Sequence, residues 1–498
     1  MEAGPIIKEM KLFFEPESVV VVGASRNPNK PGYVIFRNFL INRKRGIFKG
    51  KVYPVNQNAK EVLGERCYPS VLDVPSRIDL LVVAVPAEVV PRVLEEAGKK
   101  GVRAAIIISS GFSEVGNYYL EEEVKRVIQA SGIRTIGPNG LGVYDSYSGV
   151  DTLFLPETRV LTTGDEVVAT PRPMAGNISM ISQSGAFSLA ALDYFAGRQM
   201  GISKMVSFGN KIDVGEPETL TYLSEDEKTR VILLYVEGIE RGREFLETAR
   251  KVTLKKPIVA LKTGRTEAGA RAARSHTGAM VGTGEVYKAA FLQAGIIQVR
   301  DMNEFFNAAK ALASQPPVKG DRIGLLTDAG GPAVMAIDEC EIRGLRVEPF
   351  TNKTIEKLTR LKKEGIIPSF AAIQNPIDLT GSATSEMFEE CMRILLKDEA
   401  IDAIILIGLH HVPTLKEDYV DRIAKLATSH VKPIVACDIG ETEMALYVRS
   451  RFDKLGIPAF ASPEAAVEAM DALVKYGRYL IRNGVFERYI KEFSSLGK

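Results

Sequence analysis

Short apolar runs of five to eight residues recur along the chain and alternate with longer stretches of mixed character. They are SVVVVGA (18–24), LLVVAV (80–85), AAIIIS (104–109), VILLYVEG (231–238), PIVALK (257–262), RIGLLTDA (322–329), AIILIGL (403–409) and PIVAC (433–437). Rich in Val, Ile and Leu and without polar alternation, they read as strands buried on both faces. Between them lie helical stretches such as PAEVVPRVLEEAGKKG (86–101) and SEMFEECMRILLKD (385–398). Buried parallel strands joined by crossover helices account for this rhythm, so the predicted class is α/β.

The rhythm breaks twice. Residues 144–177 lose it and carry three prolines, and SQPPVKGD (314–321) is a compact Pro/Gly linker. Three units are expected, 1–150, 151–314 and 320–498, which suits a chain of 498 residues. The second and third begin alike: NISMISQSGAFSLAALDYFAG and RIGLLTDAGGPAVMAIDECEIRG each predict strand, small-residue turn, helix. This is a weak repeat of one supersecondary plan rather than a short-period solenoid.

Composition narrows the function more than the fold. A net charge of +2, a low aromatic fraction and the absence of Trp give no footprint of nucleic-acid binding or of an acidic membrane surface. No run of about 18 apolar residues occurs, so no membrane span is expected. The N-terminal stretch carries Lys8, Glu9, Lys11 and Glu15 and lacks a signal-peptide core. Cys67, Cys340, Cys391 and Cys437 show neither metal spacing nor a CxxC pair, which favours a reducing cytoplasm and predicts no metal site.

Candidate chemistry gathers at the ends of the predicted strands, where open parallel sheets bind ligands. The first strand runs into GASRNPNKPG, a glycine turn opening a helix, which exposes backbone N–H groups to phosphate. Its spacing is not GxGxxG, and Asn56 stands where an NAD-binding acid would follow the second strand. Arg26 and Lys30 could hold a more highly phosphorylated nucleotide, or could be solvated charges beside an ordinary turn. VPAE (85–88), SSGFSE (109–114) and GPNGLG (137–142) fall on the same edge and favour a crevice there.

In ISQSGAF the turn Ser182–Gly185 resembles a nucleophile elbow without being GxSxG; a helix end receiving phosphate is the simpler reading. TDAGGPA repeats that geometry with Gly330 and Gly331. Two such helix ends suggest a phosphoryl group held between positive macrodipoles. Glu237 closes the apolar run LLYV and would need a partner to be more than a turn residue. The histidine to consider is His276, in the small, basic segment TGRTEAGARAARSHTGAMVGTGE (263–285), which has no amphipathic period and predicts a long mobile loop. His410 and His411 follow a strand, where neighbours point to opposite faces, and make a poor metal pair. His430 is expected in a loop or at a helix end. No GxxxxGK[ST] loop occurs, so a phosphoryl donor must be bound elsewhere.

Taken together, GRTEAGARAARSHTGAM, ISQSGAF, SFGNKIDVGEPETL, TDAGGPAV and NPIDLTG resemble the ADP-forming acyl-CoA synthetases, relatives of succinyl-CoA synthetase. The likeness runs from about residue 12 to 485 and departs near 156–176, a segment with no assignable role. The chain is similar to the α subunit, which implies a CoA-binding Rossmann-like domain followed by two flavodoxin-like ligase domains. It implies an acid–CoA ligase (ADP-forming) of the acetate–CoA ligase type, converting acyl-CoA, ADP and phosphate reversibly to acid, ATP and CoA. It further implies coenzyme A as cofactor, and ADP or ATP with Mg2+ bound mainly by a separate ATP-grasp β subunit in an α2β2 assembly.

Carried over by resemblance, His276 matches the phosphorylated histidine and Glu237 the carboxylate supporting its ring. Ser184 and Gly185, with Gly330 and Gly331, match the two phosphate-cradling helix ends. Gly23, Ser25, Arg26, Lys30, Asn56, Val85, Pro86, Ser109 and Gly111 match CoA contacts, and Asn139 the approach to the pantetheine or acyl end. The competing reading is a CoA-binding sensor or scaffold that keeps the fold without the chemistry; a NAD-linked oxidoreductase lacks its fingerprint.

Overall fold

A computed structural model describes residues 3–269, 271, 284–428 and 432–495. His276 and His430 therefore lie outside the described residues. The chain divides into two compact units, residues 1–298 and 299–498.

The first unit holds two sheets. In the first, strands β1 (Ser18–Val22), β2 (Lys51–Val55), β3 (Leu80–Val83), β4 (Ala104–Ile107) and β5 (Arg134–Ile136) run parallel in the order β2-β1-β3-β4-β5. Their register aligns Val55, Val22, Val83 and Ile107, so Asn56, Gly23, Ala84 and Ile108 leave the sheet along one edge. Every residue of β1, β3 and β4 is buried, as expected for strands covered on both faces. Helices α1 (Pro31–Lys44) and α2 (Val90–Lys99) follow two of these strand ends.

The second sheet starts at β6 (Gly142–Asp145), which overlaps the start of the stretch expected to join domains. That joint also holds an antiparallel ribbon, β7 (Thr158–Val160) and β8 (Glu166–Val168), with Val160 and Val168 exposed. Next come β9 (Ala175–Ser182), β10 (Ile202–Ser207), β11 (Val231–Val236), β12 (Ile258–Lys262) and β13 (Ile297–Val299), in the order β13-β12-β11-β9-β10-β6. β6 pairs antiparallel with β10, which explains why no parallel-type apolar run announced it. Helices α3 (Gly185–Gly197), α4 (Glu216–Glu225) and α5 (Gly284–Ala294) belong to this half.

The second unit carries β14 (Ile323–Thr327), β15 (Ala372–Ile373), β16 (Ile377–Asp378), β17 (Ala403–Ile407), β18 (Ile434–Cys437) and β19 (Ala459–Phe460). Their order is β15-β16-β14-β17-β18-β19, and helix α6 (Gly330–Ile342) follows β14. The paired openings expected from sequence are thus β9 to α3 and β14 to α6. All four cysteines are free and buried, and among the described residues no helix is long and apolar enough to cross a membrane.

Candidate functional site

At the carboxyl edge of the first sheet lies a cavity of about 970 Å³. Its walls include Gly23, Ser25, Lys30, Asn56, Val85, Pro86 and Ser109, which the sequence assigned to one ligand. Arg26 and Gly111 are not among its lining residues. Two of the lining side chains brace the edge: Asn56 Nδ2 donates to the Ala24 carbonyl (2.7 Å), and Ser109 Oγ to the Val85 carbonyl (2.5 Å). α1 starts at Pro31 with no side-chain cap; Pro31 has no N–H and the Tyr33 N–H donates to the Lys30 carbonyl (3.0 Å), which leaves the Gly32 N–H of the first turn to face a ligand.

Gly23 is required by space as well as conformation. Its φ is +88°, and a Cβ there would sit 2.3 Å from the Ala84 carbonyl oxygen, in backbone that cannot swing away. Gly23→Ala is expected to weaken binding of the CoA that the sequence resemblance implies for this cavity at least ~10-fold, because β1 and β3 must part at its wall. Isothermal titration of the full chain checks this; unchanged affinity would separate the glycine turn from the ligand.

A second cavity, about 760 Å³, shares Ile108, Ser110 and Phe154 with the first. It lies at the carboxyl edge of the second sheet and is lined by Asn139, Ser184, Gly185 and Glu237. Ser184 caps α3, its Oγ accepting from the Phe187 N–H (3.2 Å). Asn139 takes φ +62° and donates to Asn210 Oδ1 (3.3 Å). The Asn210 amide in turn donates to Glu114 and Glu121 (both 2.8 Å). Burial would raise the Glu114 pKa, but the Asn210 amide and backbone N–H groups of Gly111 and Phe112 outweigh it, so Glu114 stays below its ordinary value.

The turn carrying Glu237 is gripped by side chains from several elements. Gln183 Oε1 accepts from the N–H groups of Glu237 (2.6 Å) and Gly238 (2.9 Å), and its Nε2 donates to the Gly238 carbonyl (2.5 Å) and to Glu216. Lys211 Nζ donates to the same carbonyl (3.1 Å) and to Glu216 Oε1 (2.9 Å). Lys262 Nζ donates to the Glu237 carbonyl (2.9 Å), and the Ile239 N–H donates to Tyr287 Oη (2.9 Å). Such a shell fixes the backbone of the turn, and so the point from which the Glu237 side chain projects, before any substrate arrives.

Gln183, Lys211 and Lys262 were missed as site residues. Their signals were present: Gln183 inside the quoted turn, Lys211 inside the quoted SFGNKIDVGEPETL, and a charge closing the apolar run PIVAL.

In the second unit, Gly330 and Gly331 open α6, and a Cβ on Gly330 would meet Asp378 Oδ2 at 2.8 Å. Asp328 precedes them, buried, accepting from the Leu409 N–H (3.1 Å). Burial, with the Asp438 and Asp378 charges adding and the Leu409 N–H opposing, pushes Asp328 up to about 7. His410 Nδ1 meets Asp438 Oδ1 at 2.6 Å, and its Nε2 meets Thr442 Oγ1 at 3.2 Å. The strand ends at Ile407, so His410 and His411 are loop residues rather than alternating strand neighbours, and their rings face one another at 3.9 Å. Among the described residues no cluster of His, Cys, Asp or Glu could hold a metal.

Comparison with known proteins defines the class first. Residues 17–146 match a CoA binding domain, 175–312 a succinyl-CoA ligase like flavodoxin domain and 323–482 a ligase-CoA domain. The chain is 38% identical, over 97% of its length, to acetate–CoA ligase [ADP-forming] of Methanocaldococcus jannaschii, spanning 65% of that relative. It is 36% identical to acetate–CoA ligase [ADP-forming] II subunit alpha of Pyrococcus furiosus, covering 94% of this chain and 97% of that one. A solved structure from Ca. Korarchaeum cryptofilum, dinucleotide forming acetyl-coenzyme A synthetase 1 with phosphate and ADP, superposes with a TM-score of 0.85. Identity there is 36%, over 95% of this chain and 98% of that one. The chain belongs to the family of ADP-forming acyl-CoA synthetases, in the part carried by their α subunits.

Proposed function

We propose that the chain is the CoA-binding, phosphoryl-carrying part of an ADP-forming acid–CoA ligase. Phosphate attacks the thioester of acyl-CoA, forming acyl phosphate and releasing CoA. A ring nitrogen of His276 attacks the phosphorus, the free acid leaves, and the phosphohistidine passes its phosphoryl group to ADP. The observation that carries this reading is the wall of Ile108, Ser110 and Phe154 common to the two cavities. A thioester reaching the end of the first cavity meets the Glu237 turn and the α3 N-terminus in the second.

β12 pairs beside β11, with Val236 opposite Lys262, so the segment bearing His276 leaves the sheet next to Glu237. His276 lies twelve positions beyond Gly264, and the described residues 267–269 and 271 of that stretch are helical rather than the loop expected from sequence. A covalent phosphoenzyme divides one difficult transfer into two. In this reading residues 1–150 bind CoA, 151–314 carry the phosphohistidine loop, and 320–498 supply Gly330 and Gly331 to the phosphoryl group. ADP or ATP with Mg2+ sits mainly on an ATP-grasp β subunit in a cytoplasmic α2β2 assembly, and the net result is substrate-level phosphorylation.

The test is direct. Acetyl phosphate, or labelled ATP with the ATP-grasp subunit, is expected to leave an acid-labile, base-stable phosphate on the wild type and none on His276→Ala. No label on the wild type would leave a CoA-binding scaffold, and label persisting on the variant would move the acceptor elsewhere.

A further inference from the structure

Lys262 is the last residue of β12, is 1% exposed, and no step described above uses it. An ammonium taken out of water is costly unless its donors are met. Here they go to the carbonyl oxygens of Glu237 and Thr263, at the outgoing ends of β11 and β12, and the charge lies 4.6 Å from the centre of the Tyr287 ring. Tyr287 is the same residue whose hydroxyl accepts the Ile239 N–H. An aliphatic side chain would fill the space at lower cost but would leave both carbonyls unmet. The cation is therefore spent on one local task, the placement of the turn that bears Glu237.

We propose that Lys262 is a positioning residue of the phosphoryl-transfer centre, fixing the Glu237 turn through its carbonyl while adding a positive charge to the carboxylate's surroundings without pairing with it. This rests on the reading that Glu237 supports His276. Gln183 and Lys211 grip the turn from one side, Lys262 and Tyr287 from the other, so that the backbone groups of residues 237–239 meet side chains from several separate elements. Burial lowers the Lys262 ammonium to about 8, against the opposing pull of the Glu237 charge. The other titratable groups around the turn are Glu240 directly after it, Tyr235 of β11, Tyr287 of α5, Lys211, and Glu216 of α4. Burial raises both tyrosines above their ordinary values, so neither titrates near pH 8. Loss of the Lys262 proton would remove one donor and the charge together, and phosphorylation would fall as pH rises past that point.

The experiment follows the rate of phosphate incorporation from labelled ATP, with the ATP-grasp subunit present, between pH 6 and 9.5. Wild type is expected to decline above about pH 8. Lys262→Met is expected to be ~10- to 100-fold slower at pH 7, the scale set by a misplaced catalytic group, and to lack that alkaline decline. Its CoA affinity should stay within about twofold of wild type, since Lys262 lines neither cavity. Lys262→Arg keeps the charge, and its decline should move to higher pH; this variant decides the matter if Lys262→Met does not fold. A wild-type rate flat to pH 9.5, a Met variant as fast as wild type, a Met variant slowed but declining at the same pH, or an Arg variant with an unmoved decline would each overturn the proposal. Failure of the underlying reading looks different: no label on the wild type, or label surviving in His276→Ala, at every pH.

Discussion

Glu237→Gln is expected to slow phosphorylation of the chain by about 10²- to 10³-fold while CoA affinity stays within about twofold. The substitution keeps volume and one acceptor oxygen, and the turn remains held through its backbone by Gln183 and Lys262. What it removes is the negative charge. A carboxylate accepting one ring N–H orients the imidazole and stabilises the positive charge that develops as the other nitrogen bonds to phosphorus. A neutral amide gives the weaker bond and can also present N–H, favouring the wrong tautomer. CoA binding is insulated because Glu237 lines the second cavity, whereas Gly23, Ser25, Lys30, Asn56, Val85, Pro86 and Ser109 line the first. Single-turnover labelling with parallel CoA titration checks both halves. A variant that labels normally, or one that loses CoA instead, would show that the carboxylate serves another purpose.

The parts of this arrangement legible in the sequence are those written in local chain geometry. A glycine after an apolar run announced the turn at Gly23, and the clash of 2.3 Å with Ala84 gives the reason glycine stands there. Short Val/Ile/Leu runs announced strands because both faces of the parallel sheets are covered. The antiparallel edge strand GVYD (142–145) and the ribbon at 158–168 escaped because neither presents such a run, and the ribbon's valines face solvent. Distant pairings escaped as well. Gln183 meets the Glu237 turn 54 residues on, and His410 meets Asp438 across 28. Nothing in a single chain's periodicity encodes those meetings; they follow from which strands become neighbours. Lys262 lay in plain view, but a lysine closing a strand looks like a solvated end until Val236 is placed opposite it.

Asp328→Asn is expected to stabilise the second unit at pH 8 and to flatten the dependence of its stability on pH. Asp328 is 5% exposed, and burial raises its pKa to about 7 from an ordinary 3.8. The folded state therefore keeps its proton where the unfolded chain has released it. Stability is full below the unfolded value and is lost as pH rises through the folded one, so the loss spans roughly pH 4 to 7 and is complete by pH 8. At about 1.4 kcal/mol per unit, a difference of about three units sets an upper bound of ~4 kcal/mol. Asparagine keeps an acceptor for the Leu409 N–H, contacted at 3.1 Å, without a charge to bury beside Asp438 and Asp378. Amide exchange in β14, read on the full chain at pH 6, 7 and 8, measures opening of this unit. Wild-type protection should fall across the series while that of the variant holds nearly level. Parallel curves, or a variant less protected at pH 8, would mean that Asp328 is ionised at little cost. A carboxylate kept at such expense one residue before the β14–α6 glycine turn fits the trade of stability for a functional site. Labelling kinetics of the same variant then tell whether the stability gained is accompanied by a loss of phosphoryl transfer.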